Sequence, residues 1–398
     1  MRQVVRKGNT LLVDGPASVN LLSGETEILG AKFREGEKIV IRDGKRLPFE
    51  VIEKATFHMI LGEKASFNEM EGTTIPISWE KAFKEMVAQE RPVTVMVIGG
   101  IDSGKTSFCV YVANRALRNG WKPGVIDGDL GQSDIGPPAT IGFSRVTKPI
   151  KDLFEMQAEN VLFVGVTTPS LAIKKVVEGL TATKINALQS DLNLLIINTD
   201  GWVEGEEAAR YKVQLAEKVA PHQVVGIQQT NELTPIMALL MKKTRAIAVE
   251  SPKVILKRSR EKRKTLRELG YKKYLKEARL RAFSLSQIRV EETLRETCRV
   301  LSTEQMEEME KGLLVALQDA EGNFLGIGVL CGVHPRREIL QIYTPVDRNV
   351  SNICVGQVKL DKEGKETSLS PVFKQSTEII SNQNCGRVEL KRNLIRPT

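Results

Sequence analysis

Cysteine and histidine are both scarce in this 398-residue sequence. The five cysteines, Cys109, Cys298, Cys331, Cys354 and Cys385, are odd in number, widely spaced and never form a CxxC. That argues against a disulfide framework or a thiolate zinc site and fits a reducing compartment, the cytoplasm or, in a eukaryotic cell, the nucleus. The three histidines, His58, His222 and His334, have no metal-ligand spacing and read as surface or hydrogen-bonded residues. No apolar run approaches the ~20 residues that cross a bilayer, so no membrane partner is expected. The opening MRQVVRKGNTLLVDGP has no apolar stretch of the kind a secretory leader needs. What is present is the mix of a soluble globular protein, 41% hydrophobic and 27% charged, long enough for roughly two or three domains.

The formal net charge of +9 is concentrated. Residues 257–281 carry 12 Lys and Arg against 3 Glu, which leaves 46 of the 58 basic residues facing 46 of the 49 acidic ones elsewhere. One short segment holds the entire excess. A localised basic block suits a polyanion such as a nucleic acid, although a solvated charged helix would give the same composition.

Along the chain, Thr10–Val13, Ser18–Leu22, Thr26–Leu29, Lys38–Ile41 and Phe49–Ile52 read as short strands broken by Asp14-Gly15-Pro16, Ser23-Gly24, Gly30 and Asp43-Gly44. This predicts a small N-terminal β domain over residues 1–75. A helix is predicted over Ser78–Gln89, with Ser78 as N-cap and Trp79, Ala82, Phe83 and Met86 as its apolar stripe. Continuous apolar strands then alternate with helices: Val93–Ile98, Gly124–Asp127, Val161–Val166, Leu192–Asn198, Val224–Ile227 and Ala246–Val249. The fold class is therefore α/β, with a central parallel sheet covered by helices on both faces. This central domain is expected over residues 76–282, including the basic segment. Residues 283–398 read as a small β-rich domain, with helices over Glu291–Arg299 and Thr303–Lys311 and strands over Leu313–Gln318, Phe324–Leu330, Ile339–Tyr343 and Ile353–Val358.

The strongest chemical signal is Gly99-Gly100-Ile101-Asp102-Ser103-Gly104-Lys105-Thr106, which fits G-x-x-x-x-G-K-[ST] between the apolar strand Val93–Ile98 and a helix that continues through Ser107. In such a P-loop the backbone N–H groups of Gly100 to Ser107 surround the phosphates of ATP, Lys105 reaches the β- and γ-phosphates, and the Thr106 hydroxyl binds Mg²⁺. A second signal, Asp127-Gly128-Asp129-Leu130-Gly131-Gln132, ends the next strand. Carboxylates at i and i+2 on a strand point to one side. One can help hold Mg²⁺, and a kinase acting on a hydroxyl gains from another that accepts the nucleophile's proton.

D-x-D-x-G-Q behind this P-loop resembles the polynucleotide 5′-hydroxyl kinases, the family of RNA 5′-kinases of pre-mRNA 3′-end cleavage and ribosomal RNA processing and their archaeal homologues. Val166-Thr167-Thr168-Pro169-Ser170 resembles the family's threonine-proline clasp, and Asn198-Thr199-Asp200-Gly201-Trp202 its substrate loop, whose Trp stacks on the terminal base. Arg258-Ser259, Arg263 and Arg267 resemble its lid, which spans 257–281 here. Gly15-Pro16-Ala17 and Gly24-Glu25-Thr26 resemble its β domain. The resemblance implies ATP and Mg²⁺, with Lys105, Asp129, Arg258 and Arg263 as catalytic residues and Asp129 as the base. It implies Thr106, Asp127 and Asp129 around the metal, Asp127 through water, and Gln132, Thr168, Pro169, Trp202 and Arg267 as the substrate side. The acceptor is then a nucleic acid with a free 5′-OH end, RNA favoured and DNA admitted. Five residues separate Arg258 from Arg263, roughly 140° on a continuous helix, so their convergence requires a helix start or bend between them. Trp79 and Trp121 lack the placement of Trp202 and read as packing residues.

Three other readings stay open. A scaffold that holds ATP without transferring phosphate would carry the same P-loop. A P-loop GTPase would need an N-K-x-D-like loop, of which Asn198-Thr199-Asp200-Gly201 has only the Asn. A small-molecule kinase would leave the basic segment and Trp202 without a task.

Overall fold

The computed structural model describes residues 1–293, 298–361 and 363–369, which form three successive sheets. The first contains β1 (Arg2–Val5), β2 (Asn9–Asp14), β3 (Ala17–Ile28), β4 (Ala31–Phe33), β5 (Lys38–Ile41), β6 (Arg46–Leu61) and β7 (Ser66–Glu71). Its order is β4-β3-β6-β2-β7, with β1 on β6 and β5 on β3. Ser23-Gly24 is not the turn the sequence suggests. It bends a single long strand, β3, whose register against β6 shifts between Leu21 and Ser23 and again before Glu25. Gly24 allows this: at φ +100° a Cβ there would lie 2.4 Å from the Lys54 carbonyl oxygen.

The central layer runs α1 (Ile77–Val87), β8 (Val93–Gly99), α2 (Lys105–Arg118), β9 (Pro123–Gly128), β10 (Thr140–Arg145), β11 (Asn160–Phe163), α3 (Ile173–Leu188), β12 (Leu194–Thr199), α4 (Gly205–Val219), β13 (Gln223–Gln228), α5 (Thr234–Leu240) and β14 (Ala246–Glu250). Pro76, not Ser78, caps α1; the Ser78 hydroxyl instead accepts the Glu250 N–H at 3.1 Å. Strands β9, β12, β8, β13 and β14 are parallel neighbours. Strand β10 is inserted against the run, antiparallel to both β9 and β11. Period-2 alternation on β8 builds the two faces. Val93, Val95 and Val97 join Trp79, Phe108 and the N-terminal sheet, while Met96 and Ile98 join Leu180, Tyr211, Leu215 and Ile236 on α3 to α5.

Helix α6 (Arg260–Tyr274) crosses to the third sheet, β15 (Arg279–Ser284), β16 (Arg289–Thr293), β17 (Cys298–Val300), β18 (Leu313–Gln318), β19 (Phe324–His334), β20 (Ile339–Thr344), β21 (Asn352–Leu360) and β22 (Glu366–Leu369), with α7 (Thr303–Glu307) between β17 and β18. The helix expected over Glu291–Arg299 is replaced by β16 and β17, and its middle lies outside the described residues. Parallel pairing of β16 with β21 overrides the local helical pattern there. The second expected helix is shortened to α7, closed at its start by a Ser302–Gln305 capping box. On β18, Leu313, Val315 and Leu317 face one core. Leu314 and Ala316 face another that holds Tyr271 and Leu275 from the end of the lid helix and Phe163 from β11. No helix among the described residues is long and apolar enough to cross a membrane.

Candidate active site

A cavity of about 840 Å³ opens where the N-terminal sheet, the P-loop, the 252–256 segment and α6 meet. Its floor is the turn Gly100–Ser107. Gly104 caps α2 at φ 98° with no side-chain cap, so the N–H groups of the first turn of α2 are left for a ligand. A Cβ on Gly104 would meet Ile255 and Pro252 at 3.1 and 3.2 Å, so the roof over the turn also requires glycine. The Lys105 ammonium is buried and donates to the Gly99 and Gly100 carbonyls at 2.9 and 2.7 Å. Burial lowers its pKa, while the charge of Asp129 opposes the fall. The Thr106 hydroxyl makes no hydrogen bond with the described residues. Uncapped amides, a third ammonium hydrogen on Lys105 and an unengaged hydroxyl fit a Mg²⁺-bound triphosphate.

The two aspartates part company, which corrects the expectation that both face the phosphates. Asp129 lines the cavity. Its Oδ1 accepts the Gly131 and Gln132 N–H groups, both at 3.1 Å, and its Oδ2 takes no hydrogen bond from the described residues. Burial raises the Asp129 pKa, and Lys105 works against the rise. Asp127 is fully buried and off the cavity wall. Its Oδ1 accepts from Asn198 Nδ2 at 3.0 Å and the Asp129 N–H at 3.3 Å; its Oδ2 accepts the Asp134 and Ile135 N–H groups at 2.6 and 3.4 Å. Burial, with the Asp134 charge adding to it, pushes the Asp127 carboxyl up to about 7. Strand β9 ends at Gly128, so the i, i+2 rule lapses between the two residues. Asp127 organises the loop that carries Asp129, and the arrangement gives it no path to a metal. Among the described residues no cluster of three His, Cys, Asp or Glu is built to hold a metal ion, so a cation here depends on oxygens the nucleotide brings.

The lid arginines converge because α6 begins between them: Ser259 is the N-cap, its hydroxyl accepting the Lys262 N–H. Arg258, just outside the helix, grips Asp102 through its own N–H (2.8 Å), Nε (2.8 Å) and an NH2 hydrogen (2.5 Å). Arg263 lies 3.7 Å from the same carboxylate and donates to the Arg258 carbonyl at 2.6 Å. Asp102, read from sequence only as part of the phosphate turn, thus latches the lid. Gln132 Nε2 reaches the Arg263 carbonyl at 3.1 Å, tying the aspartate loop to the lid. Arg267 lines the cavity with its guanidinium held by Glu366.

Thr168, Pro169 and Trp202 line the same cavity. Gly201 brings the Trp202 loop against the P-loop; a Cβ there would sit 2.8 Å from Ile101 Cγ1. Trp202 is half-buried and stacked on Tyr211, ring centroids 5.6 Å apart and tilted 25°. Behind them Lys212, with no exposed surface, donates to Asp200 Oδ2 (2.9 Å), the Asp200 carbonyl (3.0 Å) and Thr199 Oγ1 (3.2 Å). Asp200 also accepts from Tyr211 Oη at 2.8 Å and the Trp202 N–H at 2.9 Å. Sequence reading missed Asp200, Tyr211 and Lys212 as a unit; the only signal was a lysine on the apolar side of α4. It also missed Arg42 and Lys45, which ion-pair with Asp134 at 2.5 and 3.1 Å and lock the N-terminal sheet to the aspartate loop. Burial alone would raise the Asp134 carboxyl, but Lys45 and Arg42 hold it down at about 2. Trp79 is buried and Trp121 nearly so, with the Arg91 guanidinium 3.8 Å over its ring, as packing residues should be.

Residues 99–277 match the family described as mRNA cleavage and polyadenylation factor CLP1 P-loop. A polyribonucleotide 5′-hydroxyl-kinase of Pyrococcus furiosus is 28% identical over 344 residues, 74% of this chain and 95% of its own length. The protein of that name from Methanocaldococcus jannaschii is 24% identical over 352 residues, 75% of this chain and 95% of its own. The solved wild-type Clp1p–Pcf11p complex contains a chain that superposes with a TM-score of 0.70 at 12% identity, covering 90% of this chain and 97% of that one, which extends the shared fold to all three sheets. With the P-loop, the 166–170 and Trp202 loops and the arginines of 258–267 gathered around one cavity, this chain is similar to the polynucleotide 5′-hydroxyl kinase family, in sequence to its archaeal members and in fold through all three sheets.

Proposed function

We infer that this protein transfers the γ-phosphate of ATP to the 5′-hydroxyl end of a polyribonucleotide. The observation that carries the reading is a single cavity holding Asp129, whose Oδ2 is unengaged, together with the uncapped phosphate turn and the half-buried Trp202. The α2 amides and Lys105 bind and orient the triphosphate. Asp129 accepts the proton of the 5′-hydroxyl, and the burial that raises its pKa makes the carboxylate a stronger base. Mg²⁺, held with the nucleotide by Thr106 and Asp129, shields phosphate charge when bound. Arg258 and Arg263 exchange Asp102 for the transferring phosphoryl group, a class of contact worth roughly 10³–10⁵ in rate in related enzymes. Trp202, backed by Tyr211, stacks the terminal base. Thr168 and Pro169 narrow the acceptor side, and Gln132 keeps the aspartate loop in step with the lid.

A nucleotide-holding scaffold without turnover is the second reading, and it draws on the engagement of Lys105 with loop carbonyls and of both lid arginines with Asp102. The test is transfer of label from γ-labelled ATP to matched RNA and DNA oligonucleotides ending in 5′-OH, with 5′-phosphorylated oligonucleotides and Lys105→Ala as controls. Labelling confined to 5′-OH ends and lost in Lys105→Ala supports the kinase; ATP binding without labelling supports the scaffold. A KM for the oligonucleotide that rises steeply with salt separates a polynucleotide from a small acceptor.

A further inference from the structure

The lid is gripped by the last described strand of the chain. The Arg267 guanidinium is held side-on by Glu366 at the start of β22: Nε donates to Oε2 at 2.7 Å and NH2 to Oε1 at 3.1 Å. The Glu366 N–H in turn donates to the carboxylate of Glu268, the next lid residue, at 3.2 Å. Strand and lid helix are therefore fastened at two consecutive positions. The pair is largely shielded, with 18% and 11% of its side-chain surfaces exposed, so solvent does little to loosen it.

A guanidinium is a rigid plane with five N–H donors. A carboxylate that takes the Nε–NH2 edge leaves the NH1 edge on the opposite side, and no acceptor among the described residues takes it. Arg267 lines the same cavity as Asp129, and the two charges act on each other. The lid helix cannot rotate to aim this side chain by itself, because Tyr271, one turn further on, is buried in the third sheet's core.

We propose that Glu366 is a positioning residue for phosphoryl transfer: it fixes the plane of Arg267 so that NH1 meets the group moving past Asp129, which makes the third sheet part of the active site. This rests on the kinase reading above and assigns a task to a region in which no chemical motif is legible. A pair that only fastened β22 to the lid would lower the melting temperature and leave kcat of the folded protein unchanged.

The experiment compares wild type, Glu366→Gln, Glu366→Asp, Arg267→Ala and the Arg267→Ala/Glu366→Gln double variant in labelled transfer to a 5′-OH RNA, with a thermal melt of each. Glu366→Gln keeps the shape but cannot accept both donors. It should lower kcat roughly ten- to hundredfold, as sub-ångström to ångström misplacement does, with the KM for ATP and for RNA unchanged. Glu366→Asp, which keeps two acceptor oxygens on a shorter stem, should fall between wild type and Glu366→Gln in kcat, and the double variant should be no slower than Arg267→Ala. A Glu366→Gln kcat equal to or above wild type, or a loss that adds in full to that of Arg267→Ala, overturns the assignment. A wild type that transfers nothing sinks the kinase reading itself, and this inference with it.

Discussion

Replacing Lys212 by methionine should destabilise the protein far more than a surface lysine change would. The ammonium has no exposed surface and three acceptors between 2.9 and 3.2 Å. Methionine fills much of the same volume, so little of the cost is cavity. What remains is the Asp200 carboxylate, 4% exposed, hydrogen-bonded by Tyr211 Oη and the Trp202 N–H and offset in part by the charge of Lys105. Removing one partner of a buried pair costs about 3–5 kcal/mol. For a cooperative unit of roughly 150–250 residues, each kcal/mol moves Tm by about 2–4 °C, so a fall of roughly 6–20 °C is expected. Calorimetry on wild type, Lys212→Met, Asp200→Asn and the double variant measures it. The double variant should be more stable than the sum of the two losses implies, because it leaves no orphan charge. A Lys212→Met melt within the error of wild type, or strictly additive losses, would refute the reasoning.

Trp202→Ala should raise the KM for RNA roughly 5- to 150-fold, the equivalent of a stacking loss of ~1–3 kcal/mol. The same variant should behave like wild type on an acceptor whose terminal nucleotide is abasic; equal losses on both acceptors would count against stacking. Asp134 gives a pH signature. Its folded pKa, about 2, lies below the ordinary value of 3.8, so its contribution is complete above about pH 4 and is lost as pH falls toward 2. Melts across that range should show an acid-side loss of stability that shrinks in Arg42→Met; an unchanged slope would remove Arg42 from the explanation.

The parts legible in sequence were those set by short-range rules. The apolar strand, glycine turn and helix start of the P-loop lie within a few residues of one another, and β5 and β18 have the bounds read from the sequence. The start of α6 at Arg260 removed the one geometric objection to Arg258 and Arg263 acting together. What could not be read depends on partners distant in sequence. Asp127 turned inward because Asn198 and the 134–135 amides were there to take its oxygens. Strand β16 displaced an expected helix because β21 offered it a ladder. Glu366 meets Arg267 across 99 positions, and Arg42 meets Asp134 across 92; no periodicity encodes either meeting. Lys212 was hidden for the opposite reason, since a lysine on an otherwise apolar helix face resembles surface composition until its carboxylate is found beneath it.

The most direct test of the kinase account is single-turnover transfer from γ-labelled ATP to a 5′-OH RNA by wild type and Asp129→Asn, at equal nucleotide occupancy. The account predicts transfer by wild type and a fall of roughly 10²–10⁴-fold in the variant, the range for loss of a general base. Transfer by Asp129→Asn at the wild-type rate would contradict it.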